Sequence, residues 1–242
     1  MRVLAIGDIH GGLKALIQVL NKAEIKDEDT LIFVGDYVDG WSESAQVIQF
    51  LIELSQKVKC VFVKGNHDAW CETWLKSGEV NPTWYIHGGK ETMESYQGVS
   101  VEDKKQHLQW FENMPLYYLD ENNRLFLHAG FTSMHGVDKE VFKTTFYFDR
   151  TLWEMALTLD KSIKKEALIY PNRLKHYKEI FIGHTPTTNF NCDVPMQAAN
   201  VWNIDTGAAF KGKISVVNVD TKVFFQSDNL PDLYPNEKGR NK

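Results

Sequence analysis

The stretch VLAIGDIHGG at residues 3–12 decides the fold class of this 242-residue chain. Its first four residues are apolar and predict a buried strand, and a glycine then leads directly into Asp8 and His10. Apolar residues recur at helical spacing from Leu13 to Leu20, so an amphipathic helix is expected after the turn. Strand–helix units of this size indicate an α/β fold with parallel strands joined by right-handed crossovers.

Four later segments repeat this pattern, in which an apolar run stops and metal-ligand side chains follow. They read GDYVD at 35–39, KGNHD at 64–68, HAG at 128–130 and GHT at 183–185. Ligands in such sheets bind beyond the carboxyl ends of the strands, so all five segments are expected at one sheet edge. Oxygen and nitrogen ligands without cysteine suit manganese, iron or zinc. The sequence therefore predicts a metal-dependent hydrolase.

The composition is that of an ordinary globular protein, with 43% apolar and 24% charged residues. The net charge of −5 argues against a nucleic-acid partner. The three cysteines predict no disulfide framework. A membrane helix would need an apolar run of ~18 residues, and none is found; no leader is recognised before the first strand either. A cytoplasmic protein that does not bind membranes is expected.

A single domain is predicted for residues 1–226, with a helical insertion at 131–177. Residues 68–115 are predicted to be helical and carry four tryptophans, and a helix is also predicted at 45–54. Residues 227–242 are expected to form a polar C-terminal tail with a frayed end. Strands of the second half are predicted at about 179–182, 201–204 and 214–219, with a further candidate at 222–226.

The candidate metal ligands can be ordered by their positions on these strands. Asp8 and His10 lie two residues apart in an extended segment, so both side chains can reach one ion. Asp36 has the matching place on the next strand, and its two oxygens could bridge two cations. Asn66 and His67 are expected to face opposite ways on an extended segment, so His67 faces the substrate if Asn66 binds metal.

The remaining histidines fall into two groups. His128 and His184 each lie where a strand ends beside a glycine, and they supply two more imidazoles for a metal site. The others lack this context and are expected to be structural; they are His87, His107, His135 and His176.

The five segments resemble the ordered motifs of the calcineurin-like metallophosphoesterases over about residues 1–220. Within that superfamily the phosphoprotein-phosphatase branch is most similar, especially its small prokaryotic and phage Ser/Thr phosphatases. The resemblance implies a β-sandwich flanked by helices, with a dinuclear metal site at the carboxyl edge of the strands. Manganese is the expected metal at both positions, with iron or zinc as alternatives. The implied ligands are Asp8, His10 and Asp36 for the first ion, and Asp36, Asn66, His128 and His184 for the second.

The same resemblance implies that His67 is catalytic and pairs with Asp39. Two cations ~3.5–4 Å apart can bind a bridging hydroxide for direct in-line attack on phosphorus. His67 would then protonate the leaving group, while Asp39 orients the imidazole and favours its protonated form. For Asp39, a structural role as a cap of the loop or of the next helix stays open. Asp205 is expected to be a turn former near the site.

One position departs from the phosphatase branch, in which an arginine that binds the substrate phosphate follows the carboxylate matching Asp39. This chain has Gly40 and Trp41 there instead. Arg150 is the first candidate for a replacement cation. Trp41 is a candidate to stack on an aromatic leaving group, or else covers the adjacent helix. Replacing Gly40 by arginine is accordingly expected to lower the Michaelis constant for small phosphate esters.

Three functions are consistent with these residues. The leading one is a Ser/Thr protein phosphatase that hydrolyses phosphate monoesters of a phosphoprotein or a small substrate. The alternative is a symmetrical dinucleoside tetraphosphate hydrolase, which the Asn-His-Asp sequence at 66–68 fits. The third is a catalytically weakened metal-binding scaffold, which Gly40 supports and the intact ligand set opposes.

Overall fold

The computed structural model describes residues 1–241, which form two five-stranded β-sheets packed face to face with helices outside them. In this part of the chain the strands are β1 (Val3–Ile6), β2 (Thr30–Phe33), β3 (Lys59–Phe62), β4 (Tyr117–Leu119), β5 (Arg124–Leu127), β6 (Glu179–Ile182), β7 (Met196–Ala198), β8 (Val201–Asn203), β9 (Ser215–Asn218) and β10 (Phe224–Gln226).

Each sheet has a parallel centre with antiparallel strands at its edges. The first sheet has the order β10-β9-β1-β2-β3, and β1, β2 and β3 are parallel. The second has the order β4-β5-β6-β8-β7, and β5, β6 and β8 are parallel. The α/β sandwich expected from the sequence is confirmed. All five motifs follow the carboxyl ends of parallel strands, namely β1, β2, β3, β5 and β6.

The alternation of side chains along the strands explains why two layers of apolar residues are needed. Leu4 and Ile6 of β1 pack against the helices, whereas Ala5 between them packs against the other sheet. Phe126 and Phe181 reach the same central layer from the second sheet and stack with ring centroids 5.0 Å apart. The strands are therefore apolar on both faces, as expected for parallel strands covered on both sides.

The helices are α1 (Leu13–Lys22), α2 (Ser44–Leu54), α3 (Asn66–Ser77), α4 (Pro82–Trp84), α5 (Lys90–Ser95), α6 (Val101–Glu112), α7 (Thr145–Phe148), α8 (Thr151–Thr158), α9 (Asn172–Lys175) and α10 (Leu230–Leu233), as far as residues 1–241 are concerned. Helices α1, α2, α3 and α6 contribute to the apolar layer outside the first sheet, and α8 and α9 to that outside the second. None of the helices at residues 1–241 is long and apolar enough to cross a membrane.

The third motif begins a helix and is not the extended segment expected from the sequence. Asn66 and His67 form the first turn of α3, directly after Gly65. The carboxylate of Asp68 accepts a hydrogen bond from the Gly65 N–H at 2.7 Å, which satisfies one donor at the helix start. A carboxylate in the first turn is also favoured by the helix dipole. These local interactions start the helix immediately after the strand.

The C-terminal segment, residues 227–241, packs on the domain, so the expectation of a frayed end was wrong for these residues. Leu230 and Tyr234 are buried in the layer that α1 and α2 form with the first sheet. The Tyr234 hydroxyl accepts a hydrogen bond from the Lys14 N–H at 2.9 Å. The polar composition that suggested fraying instead supplies contacts to the main domain. The boundary at residue 226 stays a prediction from the sequence.

Candidate dinuclear metal centre

The loops after β1, β2 and β6 hold several predicted site residues in an unusual backbone conformation. The φ angles are +53° for His10, +56° for Asp36, +76° for Asp39 and +68° for His184. Non-glycine residues with positive φ are uncommon and cost of order 1–3 kcal/mol each when the strain is unrelieved. The loops are fixed by each other, because the Ile9 and His10 N–H groups both donate to the Asp36 carbonyl at 3.0 Å.

The first group of predicted ligands consists of Asp8, His10 and Asp36, all buried. The His10 Nε2 atom lies 3.8 Å from Asp8 Oδ2 and 3.6 Å from Asp36 Oδ2. Its Nδ1 lies 2.9 Å from the Asp39 carbonyl oxygen, so Nδ1 carries the proton and the Nε2 lone pair faces the two carboxylates. Burial lowers the pKa of His10 well below the usual imidazole value. Three electron-pair donors thus face one another, and a cation between them would satisfy all three.

The second group consists of Asp36, Asn66, His128 and His184. His128 Nε2 lies 3.3 Å from Asp36 Oδ2 and 3.1 Å from Asn66 Oδ1, and its Nδ1 is 2.9 Å from the Val34 carbonyl oxygen. The Nε2 atom of His184 is buried without a hydrogen-bond partner. Asp36 also belongs to the first group, so the geometry suits a carboxylate shared by two cations. This donor set fits two divalent metal ions.

Glycines next to the ligands leave room that any side chain would fill. A Cβ atom on Gly183 would lie 2.0 Å from Asp8 Oδ1, and one on Gly65 would lie 2.2 Å from Asp36 Oδ1. A Cβ atom on Gly35 would lie 2.8 Å from His128 Nδ1. The glycines of the motifs therefore allow strands of both sheets to bring their ligands to one point.

We expect Gly183→Ala to lower metal affinity about 10- to 100-fold, because the added methyl group must displace the Asp8 carboxylate. Metal content after dialysis measures the effect. Gly78→Ala is the matched control, since Gly78 has φ +75° and no atom within 4 Å of its added Cβ. The control should lose about 1 kcal/mol of stability and no metal. Equal metal retention by both variants would contradict this account.

His67 and Asp39 form a buried pair beside the ligand groups. His67 Nδ1 lies 2.6 Å from Asp39 Oδ2. The Asp39 carboxylate also accepts hydrogen bonds from Trp84 Nε1 and Thr92 Oγ1, both at 2.6 Å. Burial lowers the pKa of His67 to about 3 and raises the pKa of Asp39 well above its usual range. The expectation that Asp39 favours the protonated imidazole stays a prediction. The position of Asp39 is thus set by donors that the sequence analysis did not identify.

The carboxylate of Asp68 joins the second and third motifs. It accepts backbone hydrogen bonds from Asp36 at 2.8 Å and from Tyr37 at 2.9 Å, in addition to the one from Gly65. Asp68 is fully buried. Its role is to hold the two loops in register. Asp205 is a turn former, as expected, because its Oδ1 accepts the Gly207 N–H at 2.9 Å.

The two candidates for substrate contact have different outcomes. Arg150 lines the pocket above the ligand groups, and its Nη1 lies 3.5 Å from Thr185 Oγ1. Trp41 is fully buried, so its prediction as a substrate contact was wrong. Its Nε1 donates to the Ala208 carbonyl at 2.7 Å, and its ring stacks on Tyr234 with centroids 5.2 Å apart. The C-terminal segment covers this side chain.

Trp41→Phe should therefore lower the free energy of unfolding by about 2 kcal/mol, because the buried Ala208 carbonyl loses its donor. The Michaelis constant should change little, since the ring does not face the pocket. Urea unfolding and steady-state kinetics test the two statements together. A large rise of the Michaelis constant at unchanged stability would restore Trp41 as a substrate contact.

The pocket has a volume of about 310 Å³ and contains two residues whose presence the sequence analysis missed. Arg240 enters it from the C-terminal segment, and His87, which was expected to be structural, also lines it. Aromatic rings of Trp70, Phe148 and Phe210 complete the wall. No pattern near Arg240 marks it as a site residue. His107 lies outside the pocket, hydrogen-bonded to Tyr96 and Gln49, as expected of a structural histidine.

The fold and this arrangement of ligands define a metallophosphoesterase. The family model of the calcineurin-like phosphoesterases matches residues 1–212, and the chain belongs to that family. The resemblance noted in the sequence is thereby confirmed at the level of the superfamily. Members of the family use a dinuclear metal site. Two clusters of potential ligand atoms agree with such a site, one formed by His10, Asp36 and His67 and the other by Asp36, His128 and His184.

Curated relatives carry a more specific name. Asymmetrical bis(5'-nucleosyl)-tetraphosphatase PrpE of Oceanobacillus iheyensis is 28% identical over 242 aligned residues, covering 93% of this chain and 91% of the relative. The protein of that name from Anoxybacillus flavithermus is 29% identical and covers 88% of each chain.

Solved structures show the same fold at lower identity. One provisionally assigned as a diadenosine tetraphosphatase has a TM-score of 0.64 at 19% identity, covering 93% of this chain and 92% of that one. A serine/threonine phosphatase from Saccharomyces cerevisiae has a TM-score of 0.58 at 14% identity, covering 94% of this chain and 80% of that one.

Proposed function

We propose that this protein hydrolyses dinucleoside polyphosphates with the help of two divalent metal ions. The observation that carries the proposal is the pocket itself, in which aromatic rings and guanidinium groups surround the ligand cluster. Aromatic rings offer stacking surfaces for a nucleobase, and guanidinium groups bind phosphate oxygens. The names of the curated relatives, which specify asymmetrical cleavage, support the choice. The sequence had suggested symmetrical cleavage as the alternative.

The proposed metal ligands are those of the two groups described above, and manganese is the proposed metal. Bound there, two cations would lower the pKa of a water molecule and offset the charge of the phosphate. Asp36 would hold both ions in place. The buried side chains around them exclude bulk water and keep the carboxylates and imidazoles in fixed positions.

His67 is proposed to act on the leaving group, with Asp39 as its positioning residue. Asp39 accepts the Nδ1 proton of His67, which leaves Nε2 directed toward the pocket. From that position Nε2 can exchange a proton with the departing nucleotide.

A Ser/Thr protein phosphatase remains the second candidate. The buried His67–Asp39 pair favours it, because an alkoxide leaving group needs a proton donor. Two features favour the smaller substrate. The C-terminal segment contributes Arg240 to the lining of the pocket, and the curated relatives with high coverage are named as tetraphosphatases.

The experiment uses chelator-stripped protein with and without manganese. The substrates are diadenosine tetraphosphate, a phosphothreonine peptide and p-nitrophenyl phosphate, with products separated by anion-exchange chromatography. Manganese-dependent formation of ATP and AMP in equal amounts is expected from the dinucleotide. Formation of ADP alone would change the mode of cleavage to symmetrical. Hydrolysis confined to the peptide would indicate a protein phosphatase instead. No hydrolysis of any of the three substrates by the metal-bound protein would indicate a scaffold.

A further inference from the structure

The C-terminal segment is anchored beside the second motif by several specific contacts. Tyr234 stacks on Trp41 and its hydroxyl donates to the Glu43 carboxylate. The Glu237 carboxylate accepts hydrogen bonds from the Ser42 N–H at 3.0 Å and from the Ser42 hydroxyl at 2.8 Å. The segment therefore approaches the pocket in a defined position, directly over the loop that contains Gly40.

Arg240 is the residue that this anchored segment delivers to the pocket. Its backbone N–H donates to the Ala209 carbonyl at 2.9 Å, and its guanidinium carbon lies 5.3 Å from the centre of the Phe210 ring. Nη1 donates to His67 Nε2 at 3.0 Å, so His67 accepts there. The Nε atom of Arg240 is buried without a hydrogen-bond partner. A half-buried arginine whose Nε donor is buried and unused inside a pocket indicates a site for an anion.

Gly40 provides the space in which Arg240 lies. A Cβ atom on Gly40 would be 3.3 Å from Arg240 Cγ, and Gly40 itself has φ +123°, which residues with side chains rarely adopt. Gly239 has a similar role, because a Cβ atom there would lie 2.6 Å from the Trp41 ring. The chain thus combines a side-chain-free position in the second motif with an arginine from the C-terminal segment.

We propose that Arg240 is a substrate-binding residue whose guanidinium binds the phosphate held over the metal-ligand groups. This inference rests on the phosphoesterase activity proposed above, and it does not require that the substrate be a dinucleotide. When the guanidinium turns from His67 to the phosphate, His67 Nε2 becomes free to face the leaving group. Substrate binding therefore has two linked effects. Arg240 offsets the charge of the phosphate, and His67 loses its hydrogen bond from Arg240. An arginine suits this role because its planar donors can bind two phosphate oxygens at once.

The test uses the full-length manganese-loaded protein with Arg240→Ala, Arg240→Lys and the control Lys238→Ala. Lys238 is an exposed cation of the same segment outside the pocket. Calorimetry measures the affinity for inorganic phosphate, and steady-state kinetics measures the Michaelis constant for p-nitrophenyl phosphate. Arg240→Ala should weaken phosphate binding at least ~10-fold, Arg240→Lys less, and the control should stay within about twofold of wild type.

Unchanged phosphate affinity in Arg240→Ala would overturn the inference. Tighter phosphate binding with faster turnover would also overturn it, because the segment would then block the pocket. The inference and the proposed function fail separately. Phosphate binding that needs Arg240, without dinucleotide hydrolysis, would leave the inference standing and remove the function. Dinucleotide hydrolysis by Arg240→Ala at the wild-type rate would support the proposed function and contradict the inference.

Gly40→Arg tests the same contact from the other side, with Gly40→Ala as its matched variant. Both side chains would meet Arg240 Cγ and adopt an unfavourable φ, so both should raise the Michaelis constant for p-nitrophenyl phosphate. This reverses the expectation drawn from the sequence, in which Gly40→Arg lowers that constant. A lower constant in Gly40→Arg would show that Arg240 does not supply the phosphate contact and would contradict its proposed role.

Discussion

His67→Asn should lower turnover by about 10³-fold while the protein keeps its metal content. The expected loss is that of a general acid–base group, which contributes typically 10²–10⁴-fold. The hydrogen-bond partners of the His67 ring nitrogens are Asp39 and Arg240, and one ring nitrogen also lies within 4.8 Å of ligand atoms of His10 and Asp36. The measurement combines steady-state turnover of diadenosine tetraphosphate with metal analysis of the same sample.

The control for this variant is His107→Asn, which removes another buried histidine. His107 is hydrogen-bonded to Tyr96 and lies outside the pocket, so its loss should reduce stability rather than turnover. Turnover of His67→Asn within tenfold of wild type would exclude His67 from the reaction. A matching loss of metal would instead indicate that His67 supports the metal centre.

Asp36→Asn should abolish turnover to the uncatalysed background and reduce metal content from about two ions per chain to one or none. Asp36 is the carboxylate common to both ligand groups. An asparagine keeps the shape of the side chain and the oxygen that accepts the backbone N–H of His67 at 3.0 Å, so the fold should survive. The lost negative charge and the weaker second ligand atom account for the effect. Metal analysis after dialysis and turnover with excess manganese measure it.

Asp205→Asn is the matched control, since Asp205 is a buried carboxylate in the same pocket. Its acceptor role toward Gly207 can be taken over by an amide oxygen. The control should therefore retain two ions and most of the turnover. If Asp36→Asn kept both ions, Asp36 would not be a shared ligand and the pairing of the two groups would need revision.

The fold was predictable to a large extent because its signals are local. Each motif directly follows a short apolar strand, and strands β6 and β8 lie almost where the apolar runs predicted them. The helical start at Asn66 was missed because it depends on hydrogen bonds that Asp68 makes across the loop. The packed C-terminal segment was missed because its contacts with Trp41 and Lys14 join residues about 200 positions apart.

The convergence of the proposed ligands was predictable from the sequence, and the residues that surround them were not. Five segments placed every proposed metal ligand next to a strand end, so their convergence followed from the sheet alone. Trp84 and Thr92, which donate hydrogen bonds to Asp39, come from a different layer of helices. Trp41 was a candidate either to stack on the leaving group or to cover the adjacent helix, because it lies two residues after Asp39. The structure instead turns its ring into the core.

By itself, the sequence determined the class of fold, the proposed metal ligands and the chemistry that they could support. These properties depend on residue type and on spacing along single strands and turns. Only the tertiary structure brought a second guanidinium, that of Arg240, into the pocket beside Arg150. Arg240 and His67 are 173 residues apart in sequence, and their contact exists because apolar burial of Tyr234 against Trp41 anchors the segment that carries Arg240. Long-range packing of this kind leaves no periodic trace in the sequence, whereas strand ends do.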